Sequence, residues 1–280
     1  MVPRSHDEDL RLMEANIKNV DAVLQLLDAR IPMSSLNPEI QRITEQKPRL
    51  YVMNKADLAD PALTAAWVKY FRDSGAGCVA ISAKQKGSAA QVRTAIEKEL
   101  EDLIARRAIK GMGGARIRVM VVGIPNVGKS TFINNFAGQV RAKAADRPGV
   151  TRGKQWVTVG NYDLLDMPGV LWKKFDSLET ATNLAFIGSI KDDILDVETL
   201  GCKLMELLAE QAPQTIIDRY SIAIPEEECD FLGYELLQQA GRRRGFLLRG
   251  GEIDTERMAR ILLDEFRGGV LGRITLEKPE

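Results

Sequence analysis

The chain has 280 residues, with 39 basic and 39 acidic side chains, so its formal net charge is zero. This balance excludes a general attraction to nucleic acid, and any polyanion site must be a local patch. Apolar residues make up 45% and charged residues 28%, values that are typical of folded globular chains and exclude extensive disorder.

The three cysteines, Cys78, Cys202 and Cys229, are far apart and form no C-x-x-C pair. This spacing argues against both a disulfide framework and a zinc site. No apolar run approaches the roughly 20 residues that span a bilayer, and the charged N-terminus lacks the apolar core of a signal peptide. We therefore expect a cytoplasmic protein with no membrane partner.

The first 122 residues alternate between short apolar runs and amphipathic segments. The pattern predicts helices at 7–20, 38–46, 62–73 and 89–108, and strands at 22–27, 49–53, 78–81 and 117–122. A glycine-rich linker at 110–115 precedes the last of these strands. This alternation favours an α/β fold with a largely parallel sheet and helices on both faces.

The second strand is followed by Asn54-Lys55-Ala56-Asp57, an N-K-x-D tetrapeptide. The carboxyl end of a strand is where open α/β sheets bind ligands. The Asp57 carboxylate can accept from guanine N1–H and the exocyclic amino group together, and the Lys55 stem can lie on the base plane. Asn54 can bond the N7/O6 side of guanine or brace neighbouring loops. A capping or turn role is the alternative for this motif taken alone.

The third strand leads into Ser82-Ala83-Lys84. In GTPases an S-A-K loop at this place offers the alanine N–H to guanine O6. The tripeptide alone carries little information, but its position one helix and one strand after N-K-A-D indicates a second base-reading loop.

The stretch Gly123–Thr131 fits G-x-x-x-x-G-K-[ST] and lies between a predicted strand and a predicted helix at 132–136. This context is typical of a phosphate-binding loop, in which backbone N–H groups and a helix N-terminus surround phosphate oxygens. Lys129 is expected to reach the β- and γ-phosphates and Ser130 to bind Mg²⁺. The other nucleotide contacts are assigned to Asn126, Val127, Gly128 and Thr131. The alternative is an ordinary glycine turn.

Two switch elements are predicted after this loop. Thr151 is the candidate to meet Mg²⁺ and the γ-phosphate, while Thr158, inside a predicted strand at 155–159, is a weaker rival. A further strand at 162–165 leads into Asp166-Met167-Pro168-Gly169, in which Asp166 can hold Mg²⁺ through water and the Gly169 N–H can bond the γ-phosphate.

The order of these motifs is circularly permuted relative to most GTPases, because N-K-A-D and S-A-K precede the phosphate loop. Permutation is physically tolerable, since a sheet and its loops depend on spatial neighbours. Val170 follows Gly169, where Ras-type enzymes carry the glutamine that orients the attacking water. Another group must therefore assist, and the unassisted rate should be on the order of 10⁻⁴ s⁻¹ or somewhat above.

Beyond residue 175 the strand patterns give way to amphipathic helices, predicted at 177–190, 197–210, 226–240 and 254–267. The sequence thus predicts a GTP-binding domain at 1–175 and an all-α domain at 176–280. The candidate RNA-binding surface of the second domain consists of arginines, namely Arg242, Arg243, Arg244, Arg249, Arg257, Arg260, Arg267 and Arg273. Residues 230–280 hold nine acidic and nine basic side chains, so a salt-bridged helix face is the alternative.

The combination of Asp28-Ala29-Arg30-Ile31-Pro32, the motifs above and Leu271-Gly272-Arg273-Ile274-Thr275-Leu276 resembles the circularly permuted GTPases of ribosome assembly over nearly the whole chain. The resemblance implies a bacterial factor that binds the large ribosomal subunit, through rRNA and ribosomal proteins, late in assembly and is stimulated there. We expect it to be monomeric.

The resemblance also assigns two auxiliary groups. Asn126 resembles the asparagine of potassium-activated GTPases, which implies K⁺ beside GTP/GDP and Mg²⁺. The family begins with a segment whose histidine is implicated in hydrolysis, and His6 lies near that place in a different local sequence. The alternative is a terminal histidine with no catalytic part.

Two other functions remain open from the sequence. One is a module that binds GTP with little turnover, for which Val170 and the divergent N-terminus are the motivation. The other is a GTPase that acts on another RNA or on a signalling partner.

Overall fold

The computed structural model describes residues 6–138, 155–192, 196–226 and 229–279. Thr151, the candidate switch threonine, lies outside these residues. The chain divides into two compact units, and the boundary after Asp176 is one residue from the predicted one. The predicted all-α domain ran to residue 280, but Thr275–Glu280 belong to the first unit.

The first unit alternates helices and strands as the sequence pattern predicts. Its helices are α1 (His6–Asn16), α2 (Pro38–Thr44), α3 (Pro61–Asp73), α4 (Ser88–Glu99), α5 (Glu101–Ile109) and α6 (Lys129–Ala137). Its strands are β1 (Ala22–Asp28), β2 (Arg49–Asn54), β3 (Gly77–Ala80), β4 (Ile117–Gly123), β5 (Gln155–Val159) and β6 (Tyr162–Asp166). A short 3₁₀ turn, Ile17–Asn19, joins α1 to β1.

The six strands form one sheet in the order β3-β2-β1-β4-β6-β5. All neighbouring pairs are parallel except β5 with β6, which is antiparallel. Strands β1 and β4 lie at the centre, and the burial of every β1 residue explains why that strand reads as one apolar run. The α/β class with a largely parallel sheet is confirmed.

Helices cover both faces of the sheet. Val23, Met120 and Leu165 are in register across three strands and therefore share a face. Met13 of α1 and Ile40 of α2 pack into the core on that face, and α3 packs beside them against β2 and β3. On the other face Phe136 of α6 meets Tyr162 edge to face, with ring centroids 5.4 Å apart.

The predicted helix at 89–108 is two helices, because the chain turns at Leu100, which has φ −109° and ψ 14°. Leu100 is 1% exposed, whereas α5 has no buried residue. The break lets this leucine enter the core while α5 stays at the surface. Apolar periodicity alone does not distinguish these two helices from a single long one.

The second unit contains α7 (Leu178–Phe186), α8 (Val197–Gln211), α9 (Pro213–Tyr220), α10 (Leu232–Arg243) and α11 (Thr255–Gly268). Helix α9 was not predicted, because Pro213 was interpreted as a break, whereas proline at the first position of a helix starts it. Helix α8 packs against α10 and α11. Among the described residues, no helix has the length and apolar character needed to cross a membrane.

Candidate nucleotide-binding site

Five parallel strands deliver their following loops to one edge of the sheet. The register pairs Asp28 of β1 with Asn54 of β2, and Val121 of β4 with Asp166 of β6. Leu26 of β1 pairs with Gly123, the first residue of the phosphate loop. Because the carboxyl ends of these strands are level, the N-K-A-D, S-A-K, phosphate and D-M-P-G loops meet in one place despite their permuted order.

The phosphate loop has the backbone conformation that its glycines predict. Gly128 has φ 96°, directly before α6 begins at Lys129, and a Cβ on it would collide with the Asn54 amide. Asn126 also has a positive φ, 60°, which is uncommon for a residue with a side chain. The loop thus leads into the N-terminus of a helix, the arrangement that binds phosphate through backbone N–H groups.

Lys129 lies folded inside its own loop. Its side chain is 7% exposed, and Nζ donates to the carbonyl oxygens of Ile124 at 3.2 Å and Gly123 at 3.4 Å. Burial lowers the pKa of Lys129 to about 8, and the nearby charge of Asp166 partly offsets this effect. The ammonium group is therefore held where phosphate oxygens would be its natural partners in place of carbonyls.

Asn54 connects two loops of the site. Its Nδ2 donates to the Val127 carbonyl at 2.8 Å, and its Oδ1 accepts from the Ala83 N–H at 2.9 Å. The side chain is buried. Of the two roles open to it from the sequence, the structure has the bracing role. From the sequence, we expected the Ala83 N–H to donate to guanine O6. In this structure it donates to Asn54 Oδ1.

Lys55, which is partly exposed, pairs with the buried Asp28 at the base-reading loop. Lys55 Nζ lies 3.0 Å from Asp28 Oδ2 and donates to the Asn126 carbonyl at 2.8 Å. Arg30 binds the same carboxylate through Nε and Nη2, at 2.9 and 2.8 Å. Burial of Asp28 opposes ionisation, but the charges of Arg30 and Lys55 hold its pKa well below the usual value. Asp57, which is half-buried, contributes to the field at Arg30.

The other base-loop residues are also located in the structure. The Ala56 N–H donates to the Ile81 carbonyl at 3.0 Å, which ties the N-K-A-D loop to the end of β3. Ser82 is buried and Lys84 is exposed. Asn135 of α6, which the sequence pattern did not single out, donates to the Ala83 carbonyl at 2.8 Å. The only indication in the sequence was the position of Asn135 in the helix that follows the phosphate loop.

The D-M-P-G loop packs directly on the phosphate loop. A Cβ on Gly169 would lie 2.8 Å from Lys129 Nζ and 2.9 Å from Pro125 N, so only glycine fits there without a shift. Val170 is 3% exposed; its N–H donates to the Gly123 carbonyl at 3.3 Å, and its carbonyl accepts from Asn37 Nδ2 at 2.8 Å. The residue after D-M-P-G is therefore fixed in the core.

The oxygen donors suit Mg²⁺ held mainly by a nucleotide. Ser130 follows Lys129 at the start of α6, and Asp166 is buried at the end of β6, close enough to Lys129 for its charge to act there. Within the described residues, no cluster of three or more His, Cys, Asp or Glu could hold a metal. One hydroxyl and one carboxylate together with phosphate oxygens are the usual Mg²⁺ ligand set.

His6 begins α1 and pairs with acidic side chains of the same unit. Its Nε2 lies 2.8 Å from Glu39 Oε2, and its Nδ1 lies 3.4 Å from Asp7. Asp7 in turn pairs with Lys173, four residues beyond Gly169, at 2.7 Å. The start of α1 thus lies beside the segment that follows D-M-P-G, and the imidazole lies next to the Glu39 carboxylate.

Comparisons with known proteins show which family the chain resembles. Residues 118–217 match the family model for a 50S ribosome-binding GTPase, beginning in β4 and so after the base-reading loops. The ribosome biogenesis GTPase A of Bacillus cereus is 40% identical over 96% of this chain and 90% of its own length. The GNP-bound YlqF structure from T. maritima is 26% identical, covers 96% of this chain and 97% of its own, and has a TM-score of 0.66. The GDP-bound YlqF structure is 25% identical, covers 95% and 98%, and has a TM-score of 0.68.

Proposed function

This chain belongs to the ribosome biogenesis GTPase A family, and we propose that it binds and hydrolyses GTP as a switch in late assembly of the large ribosomal subunit. The observation that carries the proposal is the bridge made by Asn54, whose amide bonds Val127 and Ala83. Through it, the N-K-A-D, S-A-K and phosphate loops become one site. Mg²⁺ would be held by Ser130 and Asp166 and would neutralise charge on the phosphates.

The site supports slow hydrolysis that depends on a partner. Val170 is apolar and fixed by two backbone hydrogen bonds, so it cannot orient a water as a glutamine would. His6 Nε2 lies 2.8 Å from Glu39 Oε2, and we keep His6 as a candidate only in a state in which these two side chains separate. We infer that a ribosomal particle supplies or positions the missing group, with Thr151 completing the site. K⁺ at Asn126 would add positive charge near the transferred phosphoryl group.

The helical unit is our candidate for the rRNA contact. The side chains of Arg242, Arg243 and Arg249 are exposed and have no ion-pair partner in the part of the chain that the structure describes. Arg244 and Arg267, by contrast, belong to internal networks, with Glu265 at 3.0 Å and Asp192 at 2.7 Å respectively. Of these five arginines, three are exposed charges that can meet phosphate, and two are partly buried charges that hold parts of the helical unit together.

Connectivity supports the transfer of nucleotide state to that unit. Asp176, the boundary of the first unit, lies a short way beyond Gly169. A rearrangement of D-M-P-G on GTP binding would therefore act on a short connection to α7. We place this activity in the cytoplasm, with the protein acting as a monomer on a pre-ribosomal particle.

The test is phosphate release from GTP by the whole protein, alone and with purified large or small subunits, in KCl and in NaCl. We expect slow release alone, an increase of at least tenfold with large subunits only, and faster release in KCl. The Lys129→Ala variant is the matched blank. No stimulation by either subunit would overturn the ribosomal role and favour a module that binds GTP with little turnover. Stimulation by another RNA would favour a GTPase that acts on that RNA. Equal rates in both salts would overturn the potassium assignment.

A further inference from the structure

Residues 275–279 follow the helical unit in sequence but lie in the nucleotide-binding unit. Thr275 and Leu276 are 5% and 7% exposed. The Leu276 N–H donates to the Arg30 carbonyl at 2.8 Å. The segment is therefore docked beside the loop that carries Arg30, the ion-pair partner of Asp28.

Glu277 holds this loop by its backbone. Its carboxylate accepts from the Met33 N–H at 2.7 Å and from the Ser34 N–H at 3.0 Å. Its carbonyl accepts from the indole N–H of Trp67, a buried residue of α3, at 3.1 Å. Hydrogen bonds from two successive N–H groups to a carboxylate are charge-assisted and stronger than neutral ones. One residue thus fixes the loop at 30–34 and the body of α3 together.

Thr275 fixes the start of α3. Its Oγ1 accepts from the Asp60 N–H at 2.9 Å, and Asp60 caps α3 by accepting from the Leu63 N–H at 2.8 Å. Asp60 is three residues after Asp57. The segment at 275–279 therefore contacts loop 30–34 and also the chain at Asp60, three residues after Asp57.

The backbone of the N-K-A-D loop has an uncommon conformation at Lys55. Lys55 has φ 61°, a conformation that a residue with a side chain adopts only where its surroundings enforce it. Here the Asp28 carboxylate and the Asn126 carbonyl hold its ammonium group. Arg30 orders Asp28 through two hydrogen bonds and also contributes its charge near Asp57. A displacement of loop 30–34 would therefore move the Arg30 charge that acts near Asp57, and through Asp28 it would reach Lys55, two residues before Asp57.

We propose that the segment at 275–279 is a positioning element for guanine recognition: Glu277 fixes loop 30–34, which carries Arg30, and Thr275 fixes the chain at Asp60, three residues after Asp57. The proposal rests on the proposed function, since Asp57 has this role only if the nucleotide is GTP. It concerns the accuracy of base reading and leaves the phosphate contacts unchanged. The residues act through Arg30 and Asp60 and do not touch the base.

The test compares Glu277→Gln and Thr275→Val with Lys278→Gln, a change in the same segment at an exposed side chain. The readout is the ratio of affinities for GTP and for inosine triphosphate. Inosine triphosphate lacks the exocyclic amino group from which Asp57 would accept a hydrogen bond. We expect Glu277→Gln and Thr275→Val to weaken GTP binding about fivefold to tenfold, the effect of one weakened hydrogen bond. Inosine triphosphate binding should change less, so the ratio falls, while Lys278→Gln keeps the wild-type ratio.

A segment that only stabilises the fold gives a different result. It would lower the unfolding temperature and the folded fraction, and both nucleotides would lose affinity equally. An unchanged ratio in Glu277→Gln and Thr275→Val, with wild-type preference for GTP intact, would overturn the positioning role alone. Equal binding of GTP and ATP by the unaltered protein would overturn the guanine site itself and the positioning role with it.

Discussion

Asn54 Nδ2 lies 2.8 Å from the Val127 carbonyl oxygen, so the base-reading loop is hydrogen-bonded to the phosphate loop through one buried amide. Asn54→Ala removes this bond and the acceptor for the Ala83 N–H. Buried groups left unsatisfied cost about 1–3 kcal/mol, which corresponds to roughly fivefold to 150-fold in affinity for both GTP and GDP. Titration with fluorescent GTP and GDP analogues measures this loss of affinity. Asn161→Ala, in an exposed turn, is the control, and an Asn54→Ala protein with unchanged affinities would refute the bracing role.

Asp57→Asn tests base selection. An asparagine presents a donor where guanine also has donors, so affinity for GTP should fall and affinity for xanthosine triphosphate should rise. Competition titration with the two nucleotides gives the ratio. Asp60→Asn lies three residues away and keeps the capacity to cap α3, so its preference for GTP should not change. Retained GTP preference in Asp57→Asn would show that another group reads the base.

Gly169→Ala tests the contact between D-M-P-G and the phosphate loop. The new methyl group would lie 2.8 Å from Lys129 Nζ and 2.9 Å from Pro125 N. Forcing a methylene into such a contact costs about 1–3 kcal/mol, and we expect weaker GTP binding together with slower hydrolysis. Gly114→Ala is the matched control, because its Cβ meets nothing within 4 Å. Wild-type kinetics in Gly169→Ala would mean that this contact opens before nucleotide binds.

Glu265 predicts an acid-dependent loss of stability in the helical unit. Burial would raise the pKa of Glu265, but hydrogen bonds from Arg219 and Tyr220 and the charge of Arg244 lower it from 4.5 to about 2. The folded pKa lies below the unfolded one, so the stabilisation is complete above pH 4.5 and is lost as pH falls towards 2. After discounting for solvent screening, we expect it to be on the order of 1–2 kcal/mol.

Denaturant unfolding at pH 7 and at pH 3 measures this effect. Glu265→Gln should lower the free energy of unfolding at pH 7 and should reduce its fall between the two pH values. Asp264→Asn, at the neighbouring exposed carboxylate, is the control. An identical pH dependence in Glu265→Gln and the unaltered protein would contradict the assignment.

The arginines of the helical unit should separate into two classes by experiment. The double variant Arg242→Ala/Arg243→Ala should bind large subunits more weakly and with a smaller salt dependence, by about one unit of slope for each phosphate group that is no longer neutralised. Its unfolding temperature should stay the same. Arg244→Ala should lower the unfolding temperature, because it breaks the pair with Glu265 and the stacking on Tyr220. Co-sedimentation over a range of salt concentrations and thermal unfolding provide the readouts, and equal behaviour of the variants would refute the division.

The nucleotide loops could be predicted from the sequence because their motifs combine fixed residue types with the ends of strands. Gly128 and Gly169 are examples. Each is a fixed glycine of its motif, and each lies so close to other atoms that a Cβ would collide with them. We placed the domain boundary at residue 175 because the strand patterns end there, and the chain leaves the first compact unit after Asp176.

Contacts between distant segments could not be read from local patterns. The bonds of Asn37 to Val170 and of Glu277 to Met33 join residues 133 and 244 positions apart. Asp28 and Arg30 were named from the sequence only as part of the family resemblance, with no chemical role. An acidic residue at the end of a buried strand, close to the N-K-A-D loop, could have indicated one. The role of Asn54 stayed open because an amide suits base and backbone equally.

The chain leaves the nucleotide-binding unit after Asp176 and returns to it at Thr275. The helical unit is therefore an insertion, attached at both of its ends. A protein stopped at residue 176 would lose Thr275 and Glu277 and, with them, the anchors of loop 30–34 and α3. To obtain the nucleotide-binding unit alone, residues 177–274 must be excised and the two ends joined by a linker.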